Sequence, residues 1–404
     1  MELKLYNRVQ YIERIRPFIG KPIIKILTGQ RRIGKSYLLK LLIQELQKST
    51  QNHIIYIDKE REEFSRIQNH QQLYTLIKEQ LNETKENFLF IDEVQEIDGF
   101  QHCLRSLLNE QCCDIYCTGS NAYILSGDLA TLLAGRYIEF PIYSLSYTEF
   151  IDFNQLTDST ETLQTYLTIG GMPYQHHLGT DTTIVFEYLK NVYASILLKD
   201  VVKREGIRNV ALLENLVAFV ADNVGNLFSA QNISKYLKSQ RINMPTQTVL
   251  NYLKALTNAF VIHRASRVDL KGMKIFEVGE KYYFEDLGIR NSIAGINLAN
   301  DISKLIENAI FMHLKRLGYV VFVGKENEQE IDFIAEKNKE RIYIQACYLL
   351  TDEKVRQREF GNLLAIEDNF QKYVVSMDEI PSISTYKGII HCRLNEFLLK
   401  NSLH

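Results

Sequence analysis

The chain has 404 residues, of which 46% are apolar and 24% charged, which is ordinary for a globular protein of roughly two or three domains. Its formal net charge of −2 excludes a general attraction to nucleic acid, so any such attraction must be local. We find no secretory signal, no apolar run of membrane-spanning length and no C-x-x-C pair among the six cysteines. We therefore expect a cytoplasmic protein with buried, reduced thiols and no membrane contact, a zinc site being the alternative.

The first strand leads into a glycine-rich loop. Ile23–Thr28 predicts a short buried strand, residues 29–36 read GQRRIGKS, and a helix is predicted from Lys35. This G-x-x-x-x-G-K-[ST] spacing between a strand and a helix predicts a loop that cradles the phosphates of ATP. The alternative is a glycine turn that only opens a helix. The predicted nucleotide-binding residues are Gly29, Gln30, Arg31, Arg32, Ile33, Gly34, Lys35, Ser36 and Tyr37.

Two carboxylates end a later apolar strand. After a strand at His53–Asp58 and a helix at Leu73–Leu81, the segment NFLFIDEVQ predicts a buried strand that ends at Asp92 and Glu93. Ligands bind at the carboxyl ends of such strands. We assign Mg²⁺ to Ser36 and Asp92, the β/γ-phosphates to Lys35, and activation of the attacking water to Glu93.

Two further candidates follow. The strand Cys113–Asn121 ends in Thr-Gly-Ser-Asn, so Ser120 or Asn121 could bond the γ-phosphate or the water; the alternative is a turn that caps the next helix. Arg136, before the strand Tyr137–Ile142, is a candidate to stabilise transition-state charge, in this chain or from a neighbouring subunit. Arg31 and Arg32 are alternatives for that role, and a surface salt bridge is the alternative function of each arginine.

The segments TGQRRIGKSYLL, FLFIDEVQEI, TGSNAYILS, LAGRYIEFPIYSLSYTEF and IGGMPYQ resemble successive motifs of a prokaryotic AAA+-like ATPase family. The resemblance continues through LLKDVVKREGIRN and KYYFEDLGIRN, and so covers nearly the whole chain. It implies an additional-strand catalytic-glutamate ATPase that has a parallel sheet, with the carboxylate strand beside the phosphate-loop strand. It also implies a C-terminal half of unknown function.

The middle of the chain predicts helices and then a winged helix. Residues 146–204 are mostly helical in pattern and would form a lid over the nucleotide. The order helix, turn, helix, hairpin over Leu227–Lys281 is that of a winged helix. This segment has nine Lys or Arg and three Asp or Glu, a local charge of +6. That charge favours DNA contact; packing or protein binding is the alternative. The predicted groove-facing residues are Gln247, Thr248, Asn251 and Lys254.

The C-terminal segment resembles a restriction-endonuclease-like core. Glu307 on a leading helix and Asp332 on the second strand match two of its acidic positions. On the third strand, however, Gln345 and Cys347 stand where the resemblance implies an acid and a lysine. We therefore expect no DNA cleavage, although Lys325 or Lys337 could supply the lysine. The alternative is a fold kept for DNA shape, protein contact or structure.

We accordingly predict an α/β protein with four parts. These are a P-loop ATPase core at 1–145, a helical lid at 146–226, a winged helix at 227–281 and a nuclease-like domain at 282–404. The predicted function is Mg²⁺-dependent ATP hydrolysis that moves the last two parts on DNA. The alternatives are a slow nucleotide-dependent switch that binds a protein partner, and an ATP-regulated nuclease.

Overall fold

The computed structural model describes residues 8–125, 132–133, 135–270, 275–326, 329–350, 353–379 and 384–403. The chain forms two compact units. The first is Met1–Tyr143 with Asn258–Phe260, and the second is Ser144–Thr257 with Val261–His404.

The first unit alternates strands and helices. Its described elements are α1 (Val9–Ile15), β1 (Ile24–Thr28), α2 (Lys35–Leu46), β2 (Asn52–Asp58), α3 (His70–Gln80), β3 (Glu86–Asp92), α4 (Phe100–Glu110), β4 (Asp114–Gly119) and β5 (Tyr137–Pro141). Strands β1, β3 and β4 are almost entirely buried, as expected of a sheet that is covered by helices on both faces.

The five strands form an all-parallel sheet in the order β2-β3-β4-β1-β5. The expected α/β fold with a parallel P-loop sheet is therefore confirmed. The expectation that the carboxylate strand β3 lies directly beside β1 is wrong, because β4 pairs with both and separates them. The carboxyl ends of these strands nevertheless meet at one edge of the sheet.

The second unit contains the remaining elements. Its helices are α5 (Tyr147–Asn154), α6 (Thr160–Ile169), α7 (Thr182–Ile196), α8 (Val210–Asp222), α9 (Ala230–Ser239), α10 (Thr246–Asn258), α11 (Leu287–Ala294), α12 (Leu298–Arg316), α13 (Glu353–Leu364) and α14 (Leu394–Leu398). A π-helical segment, Leu197–Lys203, extends α7. Its strands are β6 (Ile262–Asp269), β7 (Ile275–Phe284), β8 (Val320–Glu326), β9 (Gln329–Lys337), β10 (Glu340–Ala346), β11 (Gln371–Ser376), β12 (Ser384–Tyr386) and β13 (Ile389–Arg393).

These strands form an eight-stranded sheet in the order β12-β13-β11-β10-β9-β8-β6-β7. The helix, turn, helix, hairpin order predicted for 227–281 is present as α9, α10, β6 and β7, and Ser229 caps α9. The hairpin is not a separate wing, because β6 also pairs with β8. The predicted boundary after Lys281 falls inside β7, and Lys271–Lys274 lie outside the described residues.

Helix α11 forms hydrogen bonds and close contacts with the helices of residues 146–226. The buried Arg290 donates from Nε to the Ala221 carbonyl at the end of α8. Asn291 donates to the carbonyls of Leu167 and Thr168 on α6. Gly288 lies so close to α6 that an added Cβ would be 1.9 Å from the Ile169 carbonyl oxygen.

Two further observations concern the expectations for membrane contact and for the cysteines. Within the described ranges, no helix has both the length and the apolar character that crossing a membrane requires. All six cysteines are free thiols, and four of them are buried.

Candidate functional site

The loop between β1 and α2 has the backbone that a phosphate cradle needs. Gly29 has φ +142° and Gly34 has φ +94°, in the region that favours glycine. A Cβ on Gly29 would lie 2.2 Å from the Ile142 carbonyl oxygen, so only glycine fits there. Gly34 starts α2 without a capping side chain, so the first-turn amides of that helix point toward the loop.

Lys35 and Ser36 begin α2, as predicted. The Lys35 side chain is only 3% exposed, and its Nζ donates to the carbonyls of Gly29 and Gln30, each at 2.9 Å. Nζ also lies 3.9 Å from Oε1 of Glu93. The loop lysine and the proposed base are therefore brought together by elements far apart in the sequence.

Asp92 is held by groups on three elements. Thr118, at the end of β4, donates from its hydroxyl to Oδ1, and Tyr56 on β2 donates to Oδ2 at 3.3 Å. Burial raises the pKa of Asp92, while the hydroxyls of Thr118 and Ser36 stabilise its charged form and oppose that shift. Ser36 and Asp92 thus present oxygen atoms to one place, as a Mg²⁺ site requires.

Glu93 follows in a left-handed conformation with φ +55°, and its backbone N–H donates to the Thr118 hydroxyl at 2.8 Å. Burial alone would raise the pKa of its carboxyl, but the charges of Lys35 and Arg31 and the hydrogen bonds from Gln95 and Ser120 together outweigh burial and lower the pKa. The carboxylate is therefore charged at neutral pH and available as a base.

Gln95 connects Glu93 to the end of β4. Its side-chain amide donates to Oε2 of Glu93 and lies 3.3 Å from the hydroxyl of Ser120. Ser120 and Asn121 are both fully buried at this edge of the sheet. The structure thus places both polar candidates after β4 on the same side as the phosphate loop.

The arginines differ in position. Arg31 is buried, pairs with Glu60 at 3.0 Å and acts electrostatically on Glu93, whereas Arg32 is exposed. Arg136 precedes β5, where Tyr137 pairs with Ile24 at the start of β1, and it donates to Asn109 at 2.8 Å. It lies at the amino edge of the sheet, one strand length of about 13 Å from the loop. Arg136 thus lies away from the phosphate loop of its own chain, and its role in stabilising transition-state charge, in this chain or from a neighbouring subunit, stays a prediction.

The residues present fit a nucleoside triphosphate and Mg²⁺. Gln30 is only 1% exposed, and within the described chain neither polar atom of its side-chain amide has a hydrogen-bond partner. Leaving such a group unpaired is costly, so its place in the loop fits a polar ligand. Further contacts to the phosphates would come from the uncapped start of α2 and the Lys35 ammonium. Contacts to Mg²⁺ would come from the oxygens of Ser36 and Asp92.

Thr118 and Gln95 were not among the predicted site residues. The signal for each was present, because Thr118 opens the Thr-Gly-Ser-Asn segment and Gln95 closes the Asp-Glu-Val-Gln segment. What could not be read from the sequence is that β4 lies next to β3, which brings the Thr118 hydroxyl against both acidic residues.

The candidates for a nuclease site lie in the second unit. Glu307 on α12 and Asp332 on β9 are brought together, but around Lys281 of β7. Gln345 on β10 accepts from the Asp332 backbone N–H at 3.4 Å. Burial raises the pKa of the Cys347 thiol, so no charged group replaces the missing lysine there.

The two lysines considered as replacements are placed differently. Lys337 donates to the Leu317 carbonyl at 2.6 Å, and Lys325 lies opposite Glu330 in the register of β8 and β9. Lys281, which was predicted only as part of the basic segment at 227–281, contacts the carboxylates of Glu307 and Asp332.

Comparisons with known proteins concern the family and the fold of the chain. A family model described as an AAA domain matches residues 21–151, and one described as a domain of unknown function (DUF8612) matches residues 160–300. The Walker-type ATPase of Pyrococcus abyssi has a TM-score of 0.53 at 15% identity, over 71% of this chain and 95% of that chain, a likeness of fold.

Two relatives extend over most of the chain. An uncharacterized protein of Haemophilus influenzae is 34% identical over 383 residues, which cover 93% of this chain and 94% of that protein. The uncharacterized protein MJ1544 of Methanocaldococcus jannaschii is 30% identical over 352 residues, 83% of this chain and 77% of that protein. The chain therefore belongs to the family of these two uncharacterized proteins, and its residues 21–151 are an AAA-type P-loop ATPase domain.

Proposed function

We propose that the first unit binds ATP with Mg²⁺ and hydrolyses it. The observation that carries this proposal is the meeting of Lys35, Asp92 and Glu93 at one edge of a parallel sheet, beside a glycine loop that starts a helix. Such an edge, with backbone donors and a helix N-terminus, is suited to a polyphosphate.

In this proposal each residue has one task. The loop amides and the Lys35 ammonium bind the β- and γ-phosphates, and Ser36 and Asp92 hold Mg²⁺. The ion, when bound, neutralises charge on the phosphate oxygens. Glu93 orients a water and takes its proton, while Gln95, Ser120 and Asn121 position the carboxylate and the water.

The first test is a pair of substitutions on α2. Lys35→Ala removes the ammonium that contacts the phosphates, whereas Lys40→Ala changes an exposed lysine on the same helix. We expect ATP hydrolysis to be lost in the first variant and kept in the second. Retained hydrolysis in Lys35→Ala would reject the site.

We further propose that α9 and α10, which precede the β6–β7 hairpin in the order of a winged helix, contact DNA while the hairpin remains part of the eight-stranded sheet. The basic side chains of Lys235, Lys238, Arg241 and Lys254 are exposed, as are Gln247 and Asn251 of the predicted reading helix, while Thr248 is half-buried. An exposed basic surface on two such helices is the electrostatic footprint expected for binding to the phosphate backbone.

This part of the proposal is tested by ATP hydrolysis with and without duplex DNA. We expect DNA to stimulate hydrolysis, and the stimulation to weaken with added salt and in the Lys235→Glu, Lys238→Glu double variant. Lys190→Glu, an exposed change on α7, is the matched control. Absence of any DNA effect, with stimulation by a protein partner only, would favour the switch alternative.

We propose that nucleotide state moves the helical segment at 146–226 as a lid, and that the segment after 281 derives from a nuclease-like fold without cleavage activity. The side chains of Gln345 and Cys347 support the second point, because neither supplies the charge that the metal-assisted reaction needs. Plasmid incubated with the protein and Mg²⁺ or Mn²⁺ should stay intact. Nicking that disappears in Asp332→Ala would instead support a nuclease.

A further inference from the structure

A buried lysine lies among three carboxylates in the second unit. Lys281 Nζ is 2.7 Å from Glu330 Oε1, 3.3 Å from Glu307 Oε2 and 3.6 Å from Asp332 Oδ1. Its side chain is only 3% exposed. We call Lys281, Glu307, Glu330 and Asp332 the lysine–carboxylate cluster.

The cluster is assembled from three elements that are distant in the sequence. Lys281 comes from β7, Glu307 from α12, and Glu330 and Asp332 from β9. In the sheet order β9-β8-β6-β7, two strands separate β7 from β9, and the Lys281 ammonium nevertheless contacts carboxylates of α12 and β9. The ammonium offsets the cost of burying carboxylates at this place, and an apolar side chain at 281 alone would leave them without a counter-charge.

The surroundings fix the carboxylates in place. Tyr283 donates to Glu307 Oε2 at 3.1 Å, and the Ala346 backbone N–H donates to Asp332 Oδ2 at 2.9 Å. The backbone of Gly225 passes so close that an added Cβ would lie 2.7 Å from Glu307 Oε2. Three carboxylate oxygens, one from α12 and two from β9, thus converge on the Lys281 ammonium.

A divalent cation and this ammonium cannot share the position. Mg²⁺ needs oxygen ligands at about 2.0–2.1 Å, and a positive charge of Lys281 in the same space would repel it. The donor set therefore does not fit a bound metal while Lys281 is present. We propose that the Lys281 ammonium takes the place of a divalent cation in the lysine–carboxylate cluster, so that this protein binds no metal there and removal of the ammonium opens a metal site.

The inference is independent of ATP binding, because every residue of the cluster belongs to the second unit. It also bears on Gln345 and Cys347, the two positions at which a nuclease would have charged side chains. Neither side chain carries the charge of the acid and the lysine that a nuclease would have there, and Lys281 from β7 supplies a positive charge beside the acids that are present. The cluster then stabilises the packing of α12 on the sheet and has no hydrolytic role.

The test is Mn²⁺ binding to the full chain without nucleotide, followed by electron paramagnetic resonance of the free ion. We expect no Mn²⁺ site dependent on Asp332 in the unmodified protein. Lys281→Ala and Lys281→Met should each gain one site, bound about tenfold or more tighter than any residual binding, and a further Asp332→Asn change should remove it. Lys304→Ala is the matched control, because Lys304 pairs with Asp301 on α12 outside the cluster.

Three results would overturn the proposal. The first is a Mn²⁺ site in the unmodified protein that Asp332→Asn abolishes, since metal and ammonium would then coexist. The second is a folded Lys281→Ala or Lys281→Met protein that gains no site. The third applies if both variants are too unstable for a binding measurement: the proposal requires Mn²⁺ to restore their folded state, seen as a cooperative unfolding transition absent without the ion and unchanged in Lys304→Ala, and failure of that rescue rejects it.

Discussion

Thr118 holds two functional groups of the neighbouring strand with a single hydroxyl. The hydroxyl donates to Asp92 and accepts from the Glu93 backbone N–H, and the side chain is fully buried. It fixes the Asp92 carboxylate, the proposed Mg²⁺ ligand, and the left-handed backbone of Glu93, the proposed base, in one arrangement. Thr118 is therefore a positioning residue in this account and makes no contact with the phosphates.

Thr118→Val keeps the shape of the side chain and removes both hydrogen bonds. We expect the fold to survive and the maximal rate of ATP hydrolysis to fall about ten- to hundredfold, as for other residues that orient metal ligands. Thr165→Val, which removes a hydroxyl bonded within helix α6, is the control. An unchanged rate in Thr118→Val would show that Asp92 and Glu93 need no such support.

Arg31 and Lys35 lower the pKa of Glu93 against the effect of burial. Since only the charged carboxylate can accept a proton, hydrolysis should fail on the acid side as pH drops through that pKa. Arg31→Gln raises the pKa and should move this acid limb to higher pH, which a pH–rate profile measures. Lys40→Gln should leave the limb in place, and an unmoved limb in Arg31→Gln would contradict the electrostatic role.

Gly29 combines φ +142° with a backbone contact that no side chain can share. Gly29→Ala should destabilise the first unit by about 3 kcal/mol or more, since the strained backbone and the clash add. Gly20→Ala is the control: it also has positive φ, but nothing lies within 4 Å of the added Cβ. We expect it to cost about 1 kcal/mol in urea-induced unfolding. An equal loss of unfolding free energy in the two variants would show that the loop at Gly29 rearranges to accept the added Cβ.

At the scale of elements, Asp286 joins the turn after α6 to the start of α11. It accepts from the backbone N–H groups of Gly171 at 2.7 Å and Ile289 at 2.9 Å. Burial, with a smaller effect from the neighbouring Glu285, raises its pKa to about 6, while its two backbone donors and Arg316 oppose that shift. Because this folded-state pKa lies above the unfolded value of 3.8, the carboxyl contributes most stability below about pH 4 and loses it as pH rises through about 6.

Asp286→Ala should therefore be more destabilising in acid than in base. We expect a loss of about 2–3 kcal/mol near pH 5, from the lost helix cap and the unpaired N–H of Gly171. Near pH 8 the loss should be smaller, since the unmodified protein no longer gains from the protonated form. Urea-induced unfolding at both pH values measures this, and a larger loss near pH 8 would contradict the assignment.

Most single elements could be predicted from local pattern, but their order in the sheets could not. β3 and β4 are apolar runs that end in polar residues, and a run of that kind carries its own signal for a buried strand. Whether β4 would lie between β3 and β1 or on the other side of β3 depends on pairing between strands that are separated in the chain by a helix. The position of Thr118 could be known only once that order was seen.

At the scale of the whole molecule, the residues that matter come from separate segments. The site in the first unit was predictable because each of its segments has a recognisable spacing, from Gly29 to Ser36 and at Asp92 and Glu93. The lysine–carboxylate cluster has no such signal. Lys281 stands in a basic segment and was counted as surface charge, and only the eight-stranded sheet brings it to Glu307 and Asp332.

The central claim is that Glu93 acts on a water beside a nucleotide held by Lys35, Ser36 and Asp92. The most direct measurement compares ATP binding with single-turnover hydrolysis in the unmodified protein and Glu93→Gln. We predict that Glu93→Gln binds ATP with Mg²⁺ as tightly as the unmodified protein but hydrolyses it about 10²–10⁴-fold more slowly. Equal hydrolysis rates in the two proteins, or no ATP binding by either, would contradict the account.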